Sequence, residues 1–239
     1  MPRSSFLPHC PVLLRLTALI VMLGLSSLGR AQILHTGDFE SGDLSAFELQ
    51  AAGEDSLAVV AEPVRSGRWA GKTLLRRSDP KVSKGTRAEF VDKTPSALHQ
   101  DYWYALSIYA GEDFICPRER DGVVFQFHQQ ARTGSPVLAF RLINDSWKIT
   151  SNTDLKGPRR TFATLPVKAG CWTDWIVQVR WSDQSTGTLT IWMNGEEVVR
   201  ETNIQTTYAT EEVGPYAKFG QYHTVDEVAR NTLYFDHYV

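Results

Sequence analysis

Three short stretches place reactive side chains at strand spacing. In Val123–Gln129 (VVFQFHQ), successive side chains of a strand point to opposite faces, so Val124, Gln126 and His128 share one face and Val123, Phe125 and Phe127 the other. Thr86-Arg87-Ala88-Glu89-Phe90 sets Arg87 beside Glu89, which reads either as a surface ion pair or as a guanidinium held ready for a carboxylate. Ala217-Lys218-Phe219-Gly220-Gln221-Tyr222 sets Lys218 and Tyr222 on one face with Gly220 between them. A glycine in mid-strand weakens the strand unless something must approach the backbone. Gly220 therefore marks either a bulge or a bare floor with room for a sugar ring.

Together the stretches supply Arg, Gln, His, Lys and Tyr, without the facing pair of carboxylates that glycoside hydrolysis uses. They also lack a GxSxG elbow, a P-loop and a dinucleotide fingerprint. The set suits β-elimination from a uronic acid. Arginine and an amide can neutralise the carboxylate that makes C5 acidic. A neutral imidazole can take the C5 proton, and a phenol can protonate the departing O4. Neither a metal nor a nucleophile is required.

The elements that must hold these groups are strands. Runs rich in Val, Ile, Thr and aromatics fall at Leu57–Ala61, Lys72–Arg77, Thr86–Val91, Tyr102–Tyr109, Val123–Gln129, Val137–Ile143, Trp147–Ser151, Trp175–Trp181, Thr188–Met193, Ala217–Tyr222 and Thr232–Tyr238. Asn194-Gly195 joins Thr188–Met193 to Glu196–Arg200 as a hairpin. Long helical patterns are absent, so the expected fold is all-β, an antiparallel sandwich of two large sheets. In Val137–Ile143, Leu138, Phe140 and Leu142 align with Arg141 opposite. In Trp175–Trp181 the two indoles align with Val177 and Val179, leaving Ile176, Gln178 and Arg180 opposite. If the sheet curls, Arg141 and Arg180 would line a groove. On flat sheets they would meet solvent.

Residues 1–31 read as a secretory signal peptide: Arg3, an apolar run from Val12 to Leu28 broken only by Arg15, then Gly29 and Ala31 before a cleavage point at Gln32. The expected mature chain is one domain, 32–239, secreted or periplasmic, with no membrane attachment after cleavage. Its removal takes three arginines and no acid, leaving 22 basic and 27 acidic side chains, a net charge of −5 with histidine neutral. That balance argues against a nucleic-acid partner but not against a local basic groove. Cys116 and Cys171 remain in the mature chain, and their spacing leaves both pairing and independence open.

Arg87-Ala88-Glu89, Tyr102–Tyr109, Gln126-Phe127-His128, Trp172–Trp175, Trp192–Gly195 and Lys218–Tyr222 occur in the order seen in jelly-roll polysaccharide lyases. The chain resembles the glucuronan lyase and heparin lyase I group over about residues 37–239, and jelly-roll alginate lyases more distantly. The resemblance implies a concanavalin A-like β-jelly roll with a concave substrate groove, acting as a single chain on an anionic polysaccharide. It implies His128 as base, Tyr222 as acid, Gln126 and Arg87 as carboxylate neutralisers, and Lys218 as a substrate ligand; Arg141 and Arg180 are candidate substrate contacts only on the reading of a curled sheet. Glu40 and Asp236 would meet where the first and last strands pair, and since related jelly rolls often carry a structural calcium ion, the two read either as its ligands or as surface acids in loops. The alternative is a lectin-like domain that keeps the groove without the chemistry.

Overall fold

Alternation of apolar and polar residues over short runs folds this chain into two stacked antiparallel sheets of 7 strands each. The computed structural model describes residues 32–83, 85–130 and 134–239, so the signal peptide expected at 1–31 lies outside the described residues. Strands are numbered in chain order. The first sheet runs β1 (Glu48–Ala51), β4 (Arg87–Asp92), β13 (Tyr216–Tyr222), β6 (Gly122–His128), β7 (Leu138–Ile143), β8 (Ser146–Ser151) and β9 (Arg160–Pro166). The second runs β12 (Glu196–Ile204), β11 (Gly187–Met193), β10 (Cys171–Arg180), β5 (Asp101–Ala110), β14 (Arg230–Asp236), β3 (Ala70–Arg76) and β2 (Leu57–Val60). Strands remote in sequence are neighbours in space, as in a jelly roll.

The sheets bury one apolar layer between them. Phe90, Phe125, Phe127, Phe140 and Phe219 come from the first sheet, and Leu106, Trp175, Val177, Val179 and Phe235 from the second. Phe219 is its hub, with ring centroids 5.2 Å from Phe90, 5.4 Å from Phe235 and 4.8 Å from Tyr238. Its edge-on contact with Phe47, at 5.2 Å, pins the segment that leads into β1. A polar bolt crosses the layer. Gln221 of β13 donates from Nε2 to Thr73 Oγ1 at 2.8 Å and to Asn231 O at 3.2 Å, and accepts from Thr224 Oγ1 at 2.6 Å. A buried amide is tolerable only when satisfied in this way.

Two expectations about faces need correction. β6 carries a bulge between Val123 and Phe125 in its pairing with β7. The extra residue turns Val124 into the core and Val123 outward beside Gln126 and His128. The segment at Gly220 is irregular too, with a register shift between Phe219 and Tyr222. A Cβ there would lie 2.2 Å from Ala88 O and 2.7 Å from Glu89 Cα, at φ +141°, so the glycine serves close approach of β4. It is a bulge glycine rather than the bare floor of a sugar site.

Cys116 and Cys171 are not joined by a disulfide. Glu40 and Asp236 do not fit a calcium site. Glu40 Oε1 accepts the backbone N–H groups of Arg68 and Trp69, and Asp236 Oδ2 those of Arg65 and Ser66. Both carboxylates face donors, which a cation cannot use, and no cluster of metal-binding side chains occurs among the described residues. Their work is to hold the 65–69 turn.

Replacing Phe219 by Ala should cost about 3–5 kcal/mol of stability, read from the shift of the urea midpoint.

Candidate active site

On the outer face of the first sheet a cleft of about 540 Å³ opens over β4, β13, β6 and β7, lined among others by Arg87, Gln126, His128, Arg141 and Tyr222. The register explains the meeting. Tyr222 stands opposite Arg87 on one side and Val123 on the other, and Val123 stands opposite Arg141. Residues directly opposite in an antiparallel pair share a face, so one transverse row carries Arg87, Tyr222, Val123 and Arg141.

The floor of this row is a buried network around Glu89, which is 2% exposed. Arg87 Nη1 donates to Glu89 Oε2 at 3.1 Å, and Gln126 Nε2 donates to Glu89 Oε1. On β13, Glu89 of β4 stands opposite Gly220 and Gln126 of β6 opposite Lys218, so the bond between them runs diagonally across β13. Arg87 is fixed further by Ser83 O at 3.2 Å, and its guanidinium lies 4.3 Å from the Tyr222 ring centroid. The His223 ring packs 3.8 Å from the same centroid, and the absence of a side chain at Gly85 makes room for the phenol.

His128 ends β6, half-buried against Tyr216 at 5.6 Å between centroids. Its Nδ1 lies 2.9 Å from Gln129 O. A carbonyl can only accept, so Nδ1 carries the proton and Nε2 keeps its lone pair. Burial holds the imidazole below its ordinary pKa, opposed by the Gln129 bond and reinforced by the charges of Lys218, Arg87 and Lys93. The ring is neutral at neutral pH. Lys218 sits deeper on the same face, its Nζ 2.9 Å from Gln50 Oε1, and burial lowers its pKa as well.

Arg180 does not join these groups. It belongs to β10 of the second sheet, on the face away from the core, and pairs there with Asp101 at 3.4 Å. Its outward face was legible from alternation, but the sheet it belongs to was not. Motif reading passed over residues in the cleft and beside it: Arg120, Asp121, Arg159 and His223 line it, while Tyr216 packs against His128 and Gln50 accepts from Lys218. Tyr216 is one residue before the expected start of its strand and has the parity of Lys218 and Tyr222. Gln50 comes from β1, a run too short to stand out. Arg120, Asp121, Arg159 and His223 come from loops with no local signature.

A two-sheet jelly roll with a cationic, aromatic cleft across one sheet is the architecture of a carbohydrate-handling protein. The polysaccharide lyase profile matches residues 39–239, and the chain belongs to that family. It is thus an enzyme, a lyase acting on polysaccharides. Among curated proteins none matches the sequence. Among solved structures, an endo-β-1,4-glucuronan lyase from the fungus Trichoderma reesei is similar over 82% of this chain and 91% of its own, with TM-score 0.69 at 18% identity. Alginate lyase A1-II′, of polysaccharide lyase family 7, is similar over 81% and 92%, with TM-score 0.61 at 12% identity. An alginate lyase from Pseudomonas aeruginosa is similar over 82% and 98%, with TM-score 0.55 at 14% identity. These likenesses are of fold.

Truncating Glu89 to Ala strands the Arg87 charge in a buried site. The loss should be about 3–5 kcal/mol, measured by urea unfolding of the variant against the parent.

Proposed function

We propose that this protein is an exported lyase that cleaves a uronic-acid polysaccharide, glucuronan-like, by β-elimination in the Arg87–Gln126–His128–Tyr222 cleft. The observation that carries the reading is the meeting in one cleft of an imidazole with a bare Nε2, a phenol, and an arginine and an amide fixed by one buried carboxylate. Export rests on the apolar segment at 12–28 and the small residues that follow it. The preference for a glucuronan-like polymer rests on the likeness of fold to the fungal glucuronan lyase. An anionic substrate also suits the charge pattern, since a chain of net charge −2 gathers Arg87, Arg120, Arg141 and Arg159 in this cleft.

In this mechanism the substrate carboxylate lies against Arg87 and the second N–H of Gln126. Their hydrogen bonds stabilise the charge that builds on the carboxylate as C5 loses its proton. His128 Nε2 takes that proton, the C4–C5 double bond forms, and the C4–O4 bond breaks. Tyr222 gives its hydroxyl proton to O4. The products are a new hydroxyl-bearing end and an unsaturated uronate. Lys218, behind the row, adds a positive field to the anion. No step calls on a metal.

Incubation with glucuronan should produce the ultraviolet absorbance of the C4–C5 unsaturated uronate, whereas reducing ends formed without it would mean hydrolysis. His128→Ala and Tyr222→Phe should each lower kcat by roughly 10²–10⁴-fold with the fold intact by circular dichroism. Activity at the parent level in either would remove that residue from the mechanism. Because the depressed His128 pKa keeps the base neutral further into acid, the acid limb of kcat/KM should fall below the ordinary histidine value of about 6.5. A limb above that value would contradict the assignment.

A further inference from the structure

Beyond Tyr222 the cleft carries positive charge that the elimination step does not use. Arg141 on β7 is only 5% exposed, donating from Nε to Thr150 Oγ1 at 3.0 Å and from Nη1 to Asp121 Oδ1 at 3.0 Å. The other oxygen of Asp121 takes Nη1 of Arg159. Two guanidiniums thus share one carboxylate, and both oxygens of that carboxylate are engaged. Arg120, at the same end, has its own counter-ion in Asp226 at 3.3 Å and leaves the excess untouched. Among the described residues, Nη2 of Arg141 and both Nε and Nη2 of Arg159 have no protein acceptor, although both side chains line the cleft. Arg141 is held out of water, whereas Arg159 is 39% exposed at the rim, so the pair offers an incoming anion one buried cation and one accessible one.

The register gives the distance from the chemistry. Tyr222, Val123 and Arg141 occupy successive strands, with Lys148 at the next position of the same row. Strands lie about 4.8 Å apart, and a 1,4-linked pyranose chain advances by nearly the same step per ring. A chain laid along the row sets one ring over each strand, and Arg141 falls two rings from the phenol.

We propose that Arg141 and Arg159, clasped by Asp121, form a second carboxylate seat, which takes the uronate two rings from the one at Tyr222. The forked guanidinium edges match a planar carboxylate. The seat rests on the reading of the cleft as a uronate-polymer site. It makes the polymer cross the strands, and it makes affinity depend on a carboxylate that does not react.

Calorimetry on the Tyr222→Phe variant tests the seat without turnover, using a glucuronate hexasaccharide and its carboxyl-reduced counterpart as probes. Arg159 lies on the rim, so Arg159→Gln in that background spares the core, and its melting temperature is read alongside. The expected result is roughly tenfold weaker binding of the uronate and unchanged binding of the reduced sugar. Equal affinity of both proteins for the uronate overturns the seat, as does an equal loss on both sugars. If the Tyr222→Phe parent binds the uronate no better than the reduced sugar, the reading of the cleft itself falls, and the seat with it.

Discussion

The structure around the cleft depends on one buried carboxylate. Glu89 is nearly inaccessible, yet it binds a guanidinium from its own strand and an amide from a strand two places away. Burying a carboxylate without partners there would be costly. Its two partners could not hold their positions without it. Arg87 in turn lies against the Tyr222 ring, so the same carboxylate fixes the phenol at one remove. Gly220 is the steric condition for all of this, since any side chain on that residue would strike the backbone of β4. The motif that joins Lys218 to Tyr222 through a glycine is a packing requirement first.

Much of this was legible in the chain because strand alternation is a strong local signal. The runs that became β5, β6, β7 and β11 could be read to within a residue at each end, as could the turn at Asn194-Gly195, whereas β10 starts four residues before the expected Trp175. β1 and β9 could not. β1 is four residues with weak apolar content, and β9 carries arginine and proline at its ends and is largely exposed. The bulge at Val123 was invisible, since nothing local says that a partner strand is one residue short. Arg180 shows another limit: alternation tells which residues share a face, whereas only topology tells which sheet that face belongs to. For Glu40 and Asp236 the expected pairing of first and last strands does not occur, since β1 and β14 lie in different sheets, and what surrounds the two carboxylates is backbone N–H.

The two sheets divide the labour. The first gives its outer face to the cleft, with Arg87, Glu89, Gln126, Arg141 and Lys218 buried on it. The second turns outward a surface where Trp103, 58% exposed, stacks on Trp192 at 5.6 Å, and where Arg65 clasps Asp174 at 2.9 Å. The layers are linked by the apolar filling, by the amide of Gln221, by the buried Tyr238–Asp92 bond and, at the edge, by the Arg160–Glu201 pair.

That amide has a consequence for how the molecule fails. Gln221 is bonded into the opposite sheet, while Tyr222, the next residue, faces the substrate side. A slip of β13 by one position would exchange the two, putting a phenol among the packed rings and an amide in the cleft. The strand therefore has a single workable setting, and no loosened form of the fold keeps the cleft assembled. Heat or denaturant should extinguish turnover and sheet pairing as one event, with no inactive but folded stage between them.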